Sequence, residues 1–380
     1  MAGDWWLVAD TLRIVLRRLL LGGLLASAAA LATLVTLMTP APLATLATTA
    51  SPAIEAATSS CNLTGVERVI AVGDVHGAYD RFVEILTITG VIDDRQRWSG
   101  GKTHLVQTGD VLDRGPDSRK AIDLLRRLQE EATRAGGAVH PLLGNHEAMR
   151  MLGDMRYTVP GEYQAFVTPD SDSLKQRLLR SSPPDAREEI MKTPLGFTEM
   201  RMAYGRDGDY GKWLRTLDAV VKINGVLFLH GGISPAIASR SCDAINDTVR
   251  KELSSDIDRT RANPQGSLTA REDGPLWYRG LAVQPEDTFA ADLDRILAAQ
   301  HARAIVVSHT VATSLRVTPR FGGRVIQMDT GMQPAYVPTG RASALEIQNG
   351  VFTAIYTDRK DLLPVPPPVD TQHGQPASGR

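Results

Sequence analysis

Five apolar runs in this chain break, at their carboxyl ends, into residue types able to bind metals. The breaks are Gly73-Asp74-Val75-His76, Gly109-Asp110, Gly144-Asn145-His146-Glu147, His230-Gly231-Gly232 and Ser308-His309. Each run reads as a buried strand, and at four of the five breaks a glycine permits a sharp exit. Side chains two apart on an extended stretch point the same way, so Asp74 and His76 can converge on one object. Alone, Asp-x-His also reads as a turn with a satisfied histidine. Five such endings form a pattern. Carboxylate, amide and imidazole donors gathered at strand ends suit manganese, iron or zinc, at the edge where open α/β sheets bind ligands.

Between these breaks the chain alternates strand and helix. "RVIAV" reads as a strand and "DRFVEILTITG" as an amphipathic helix closing at Gly90. "KTHLVQTGD" is a strand, followed by a helix from Ser118 that Asp117 caps. "AVHPLLGNHE" is another strand running into a polar turn. Residues 151–215 are rich in Met, Arg, Tyr and Pro and read as a helical insertion. Their aromatic and Met side chains near 149–166 either pack the insertion's core or line a groove. "VVKINGVLFLHGG" reads as a hairpin around Asn224-Gly225, and four later runs are strand candidates. The pattern predicts a mixed sheet system with helices outside. The proline-rich stretch 361–380 reads as a disordered tail.

The first sixty residues differ from the rest. Arg13, Arg17 and Arg18 precede an uncharged run from Leu19 to Met38, and a small-residue linker follows. That layout predicts an export signal or a membrane anchor over residues 1–60, with the remainder outside the cytoplasm. The two cysteines, Cys61 and Cys242, either pair in an oxidising compartment or are unrelated buried thiols. Neither has zinc-ligand spacing to a histidine. A formal net charge of -1 gives no general attraction to nucleic acid, so any phosphate chemistry must come from local charge.

In order, GDVHG (73–77), GDVLDRG (109–115), GNHE (144–147) and HGG (230–232) resemble the metallophosphoesterases of the phosphoprotein phosphatase type. "LWYRG", "VSHT" and "MDTGM" resemble the bacterial Shewanella-like branch of that family. The resemblance covers about residues 65–357. It implies an α/β (α+β) fold, a four-layer αββα sandwich over a catalytic domain at 61–360.

It also implies two divalent metal ions, with manganese expected and iron or zinc as alternatives. Matched residue by residue, Asp74, His76 and Asp110 hold the first ion, and Asp110, Asn145, His230 and His309 the second. Water shared by two ions becomes hydroxide near neutral pH and can attack phosphorus in line. His146 is then the proton donor, oriented and charged by Asp113; Arg114 grips phosphate, and Arg279 falls near a second phosphate-binding position. The implied function is hydrolysis of phosphate monoesters on a phosphorylated protein or peptide, on Ser/Thr or Tyr. A dinucleoside tetraphosphate hydrolase shares the motif set. A membrane-tethered binding protein with an inactive phosphatase fold is the reading from another class.

Overall fold

A computed structural model describes residues 61–364. The predicted signal or anchor over 1–60 lies outside the described residues, as does the tail beyond 364. No helix among the described residues is long and apolar enough to cross a membrane.

The described strands are β1 (Asn62–Leu63), β2 (Arg68–Val72), β3 (His104–Gln107), β4 (Ala138–Pro141), β5 (Val220–Ile223), β6 (Val226–Leu229), β7 (Ala304–Val307), β8 (Thr318–Arg320), β9 (Val325–Gln327), β10 (Ser343–Gln348), β11 (Val351–Tyr356) and β12 (Lys360–Leu362). They form two six-stranded sheets, ordered β12-β11-β10-β2-β3-β4 and β1-β5-β6-β7-β9-β8. Both are mixed. β2, β3 and β4 run parallel, whereas β10 pairs antiparallel to β2. β6, β7 and β9 run parallel, with β5 antiparallel to β6. The hairpin expected at Asn224-Gly225 joins β5 to β6, and both residues take positive φ, as such a turn requires. β12 carries pairing to Leu362, just past the point where the sequence suggests a tail, because β11 offers it a free edge.

Alternation along the strands explains the layers. Val69, Ala71 and Val106 of one sheet share a core with Val221, Phe228, Val306 and Ile326 of the other. Their neighbours Ile70, Val72, Leu105, Leu227 and Ile305 belong to a second core with the helices. A period of two thus sends one set between the sheets and the next set outward. The result is helix, sheet, sheet, helix. Phe228 is fully buried between the sheets, and truncating such a side chain to Ala typically costs about 3–5 kcal/mol.

The helix Tyr79–Ile88 presents Phe82, Ile85 and Leu86 to the outer core. The helix Ser118–Arg134 does so with Ala121, Ile122, Leu125, Leu128 and Ala132, at three-to-four-residue spacing. Asp117 stands at its N-cap position but makes no capping hydrogen bond; its carboxylate pairs with Lys120 at 2.8 Å instead. Residues 151–215 hold the helices Pro160–Gln164, Ser171–Ser181, Pro184–Lys192, Phe197–Tyr204 and Asp209–Leu214, with no strand among them. Residues 172–193 form a separate small unit, held internally by Lys175, which donates to the Met191 and Thr193 carbonyls.

Cys61 and Cys242 are joined in a disulfide, with Cα atoms 6.1 Å apart. It ties the residue before β1 to the first turn of the helix Cys242–Glu252, where the Cys61 N–H also donates to Asp243 at 2.9 Å.

Candidate metal centre

The five predicted strand ends meet at one place. The peptide of Asp110 joins the first two, its carbonyl accepting from the N–H groups of Val75 and His76, each at 2.9 Å. Gly109 brings in the third. It takes φ +93°, and a side chain there would meet the Gly144 nitrogen at 2.5 Å. Glu147 then fixes that contact. Its buried carboxylate accepts from the N–H groups of Asp110 at 2.8 Å, Val111 at 2.9 Å, Leu112 at 3.1 Å and Gly144 at 2.8 Å. The motif quoted in the sequence contains Glu147, but only the structure gives it this bracing task.

The backbone here is strained. His76, Asp110, Asp113, Arg114 and His309 all take φ between 49° and 68°. A non-glycine residue rarely adopts that region, and each instance costs roughly 1–3 kcal/mol. Such strain persists only where surrounding contacts overrule it, and it gathers here on residues singled out for chemistry.

Backbone carbonyls fix the rings of two of these histidines. His230 Nδ1 lies 3.0 Å from the Thr108 carbonyl, so Nδ1 carries the hydrogen and Nε2 is bare. Around that bare nitrogen stand Asn145 Oδ1 at 2.9 Å, His309 Nδ1 at 3.1 Å and Asp110 Oδ2 at 3.2 Å. His76 repeats the device: Nδ1 is 2.8 Å from the Leu112 carbonyl, leaving Nε2 free 3.6 Å from Asp110 Oδ2 and 3.8 Å from Asp74 Oδ2. A backbone carbonyl that fixes the tautomer is the usual support of a metal-bound imidazole.

Charge points the same way. Asp74, Asp110 and Asp329 are buried together, and no Lys or Arg among the described residues pairs with them. Burial, with Asp329 and Asp110 alongside, raises the Asp74 carboxyl well above its ordinary value. Burial lowers His76 to about 4 and His309 well below its ordinary value, so both imidazoles are neutral. Asp110 Oδ2 lies within 3.2–3.8 Å of a ring nitrogen of each of His230, His76 and His146. Buried unpaired carboxylates facing neutral imidazoles are costly unless cations sit among them. The donors are able to hold divalent metal, and Asp110 belongs to both of their groupings, with His76 on one side and with His230 and His309 on the other.

His146 stands beside this set. Its ring is 4.7 Å from that of His76, and its Nε2 is 3.8 Å from Asp110 Oδ2. Distance alone therefore makes His146 as near to the first group of donors as Asp74 is. Its other nitrogen distinguishes it, because Nδ1 lies 2.7 Å from Asp113 Oδ2, a side chain pairing fit to hold a transferable proton. Burial lowers the His146 pKa, but Asp110 and Asp113 outweigh it and raise it overall. Asp113 falls to about 2, since Arg150 and His146 overcome its burial.

Two arginines stand near these donors. Arg114 lies between Tyr336, 3.7 Å to the ring centre, and Tyr157, 4.8 Å, and no carboxylate among the described residues forms an ion pair with it. Arg279 donates to the His309 carbonyl at 2.8 Å and to Thr310 Oγ1 at 3.0 Å, which brings it to the edge of the same centre. All ten predicted site residues thus come together. Tyr157 belongs to the aromatic and Met stretch near 149–166, whereas Tyr336, Arg150 and Glu162 stand outside every motif quoted from the sequence. Arg150 was findable: it lies four residues after His146, one turn along the same helix. Tyr336 had no such signal, because its position depends on how a distant loop folds back.

Known proteins give the same picture. Residues 67–312 match the family model described as calcineurin-like phosphoesterase. An uncharacterized protein of Schizosaccharomyces pombe is 30% identical over 297 residues, 76% of this chain and 80% of that one. Shewanella-like protein phosphatase 2 of Arabidopsis thaliana is 35% identical over 199 residues, about half of each chain (48% and 51%). The crystal structure of a cold-active protein-tyrosine phosphatase from a psychrophilic Shewanella species superposes with a TM-score of 0.63 at 31% identity, covering 80% of this chain and 82% of that one. A chain that carries this fold, these donors and these relatives belongs to the calcineurin-like phosphoesterase family, as a metal-dependent phosphoester hydrolase.

Proposed function

We propose that this protein is a dinuclear-metal phosphatase that hydrolyses phosphate monoesters on phosphorylated proteins or peptides. The observation that carries the reading is the convergence on His230 Nε2 of Asn145, His309 and Asp110, with the His146–Asp113 pair alongside. Asp74, His76 and Asp110 hold one cation, and Asp110, Asn145, His230 and His309 the other, with manganese the expected metal. Two divalent cations, when bound, polarise the phosphoryl group and acidify a water.

The chain's own residues supply the rest. Arg114 offers a guanidinium fork to two phosphate oxygens, and the two tyrosines hold it without cancelling its charge. Arg279 adds a second cation at the edge of the centre. His146 gives a proton to the departing oxygen, and Asp113 keeps its ring turned so that Nε2 carries that proton.

The disulfide supports an oxidising compartment, and hence export through the segment 1–60 with the catalytic domain outside the cytoplasm. The test is metal analysis of the purified protein with turnover of phosphoserine, phosphothreonine and phosphotyrosine peptides, and of diadenosine tetraphosphate. Two bound ions with peptide turnover are expected. Exclusive turnover of the dinucleotide moves the protein to the other hydrolase class; no turnover of any phosphoester with manganese present makes it a binding protein.

A further inference from the structure

Arg150 is 2% exposed, and no step above uses it. A buried guanidinium is costly unless its charge and its donors are met. Arg150 and His146, one turn apart on the helix Asn145–Leu152, both end on Asp113. His146 Nδ1 meets Oδ2 at 2.7 Å and Arg150 Nη2 donates to Oδ1 at 2.5 Å. The same Arg150 nitrogen donates to Glu162 Oε1 at 3.2 Å and to Thr158 Oγ1 at 3.1 Å.

These partners also hold the backbone. Glu162 Oε1 accepts from the Asp113 N–H at 3.3 Å, and the Thr158 hydroxyl donates to Asp113 Oδ1 at 3.0 Å. The Tyr157 carbonyl accepts from the Arg114 N–H at 2.9 Å. Asp113 and Arg114 are consecutive, and both stand in the left-handed region, at φ 68° and 65°. Two such residues in a row need outside contacts to stay there.

We infer that Arg150, with Glu162, is a positioning residue that locks this strained pair, aiming Asp113 at His146 while Arg114 stays at the phosphate side. The inference rests on the reading of His146 as proton donor. A bare structural ion pair would also bury Arg150, so the test must read proton delivery and not only folding.

Leaving-group dependence does this. The kcat of Arg150→Met, His146→Ala and the double variant is measured on a phosphoserine peptide, a phosphotyrosine peptide and p-nitrophenyl phosphate at saturating manganese. Thermal unfolding and elemental analysis accompany each protein. The expected loss in Arg150→Met is about tenfold or more larger on phosphoserine than on the nitrophenyl ester, part of the 10²–10⁴ typical of general acid catalysis. The double variant is expected to lose no more than His146→Ala alone. Equal loss across the substrates, or an additive double variant, overturns the inference. If Arg150→Met does not fold, Arg150→Lys and Thr158→Val take its place, with the same order expected and uniform losses again overturning it. A His146→Ala series that is itself flat overturns the proton-donor reading and this inference together. A graded His146→Ala series beside flat positioning variants overturns this inference only.

Discussion

Asn145 Oδ1 lies 2.9 Å from Nε2 of His230, whose other ring nitrogen meets the Thr108 carbonyl at 3.0 Å. His309 Nδ1 and Asp110 Oδ2 crowd the same spot, at 3.1 Å and 3.2 Å from that nitrogen. Oxygen and imidazole donors gathered on one point suit a divalent cation.

Metal content follows from which donors are shared. Asp110 Oδ2 is close to both His76 Nε2 (3.6 Å) and His230 Nε2 (3.2 Å), whereas Asn145 reaches only the His230 group. Asp110→Asn should weaken both ions, and Asn145→Ala only one. Elemental analysis after gel filtration reads this directly; an Asp110→Asn protein with two tight ions refutes the sharing. Chelation should also lower the thermal midpoint, because ions at a hundred times their Kd stabilise a fold by about 2.7 kcal/mol.

The tyrosines around Arg114 lead to a prediction about binding and not about chemistry. A cation over an aromatic face gains about 0.5–2 kcal/mol. Tyr336 is placed for this by its loop, where Gln333 donates to the His76 carbonyl at 3.0 Å and Arg81 to the Met332 and Gly340 carbonyls. Tyr336→Ala should therefore raise KM and weaken inhibition by inorganic phosphate by about two- to thirtyfold, the range that 0.5–2 kcal/mol implies. Tyr336→Phe keeps the ring face and should stay near wild type. Equal weakening in both variants would assign the effect to the hydroxyl.

The disulfide closes a span of 181 residues that includes most of the metal centre. Removing such a bridge typically costs about 2–5 kcal/mol. Cys61→Ala/Cys242→Ala should show that loss in urea unfolding, with metal content unchanged at pH 7. Thiol titration of the unfolded wild type from an oxidising compartment should find no free thiol, and two would contradict the bridge.

Much of this was legible in the sequence, for a physical reason. The donors proposed for metal, Asp74, Asp110, Asn145, His230 and His309, each follow an apolar run at a strand end and so announce themselves locally. The layers were legible too, because β2 alternates Val69 and Ala71 against Ile70 and Val72. What lay hidden was support from a distance. Glu162 reaches Asp113 across 49 positions and Gln333 reaches His76 across 257, and no periodicity encodes such contacts. His140 belongs to none of the strand-end motifs, yet its environment is unusual.

His140 on β4 lies beside His104 on β3, with Nε2 3.0 Å from His104 Nδ1. Burial, and then the His104 ring, lower its pKa to about 4. In the unfolded chain it returns to the usual histidine value of about 6.5. Between those values the unfolded state binds the proton that the folded state refuses. Stability is therefore complete above about pH 6.5 and falls as the pH drops toward 4. At pH 5 the gap of about 1.5 units corresponds to at most ~2 kcal/mol, and His140 is partly exposed, so about 1 kcal/mol is the expected loss. His140→Gln, which cannot take a proton, should remove that slope. The measurement is urea unfolding of both proteins at pH 7.5 and pH 5 with manganese present. The wild type should lose more stability than the variant on going to pH 5. Equal losses would mean that His140 takes up its proton in the folded protein as readily as in the unfolded one, and that the neighbouring ring does not hold it neutral.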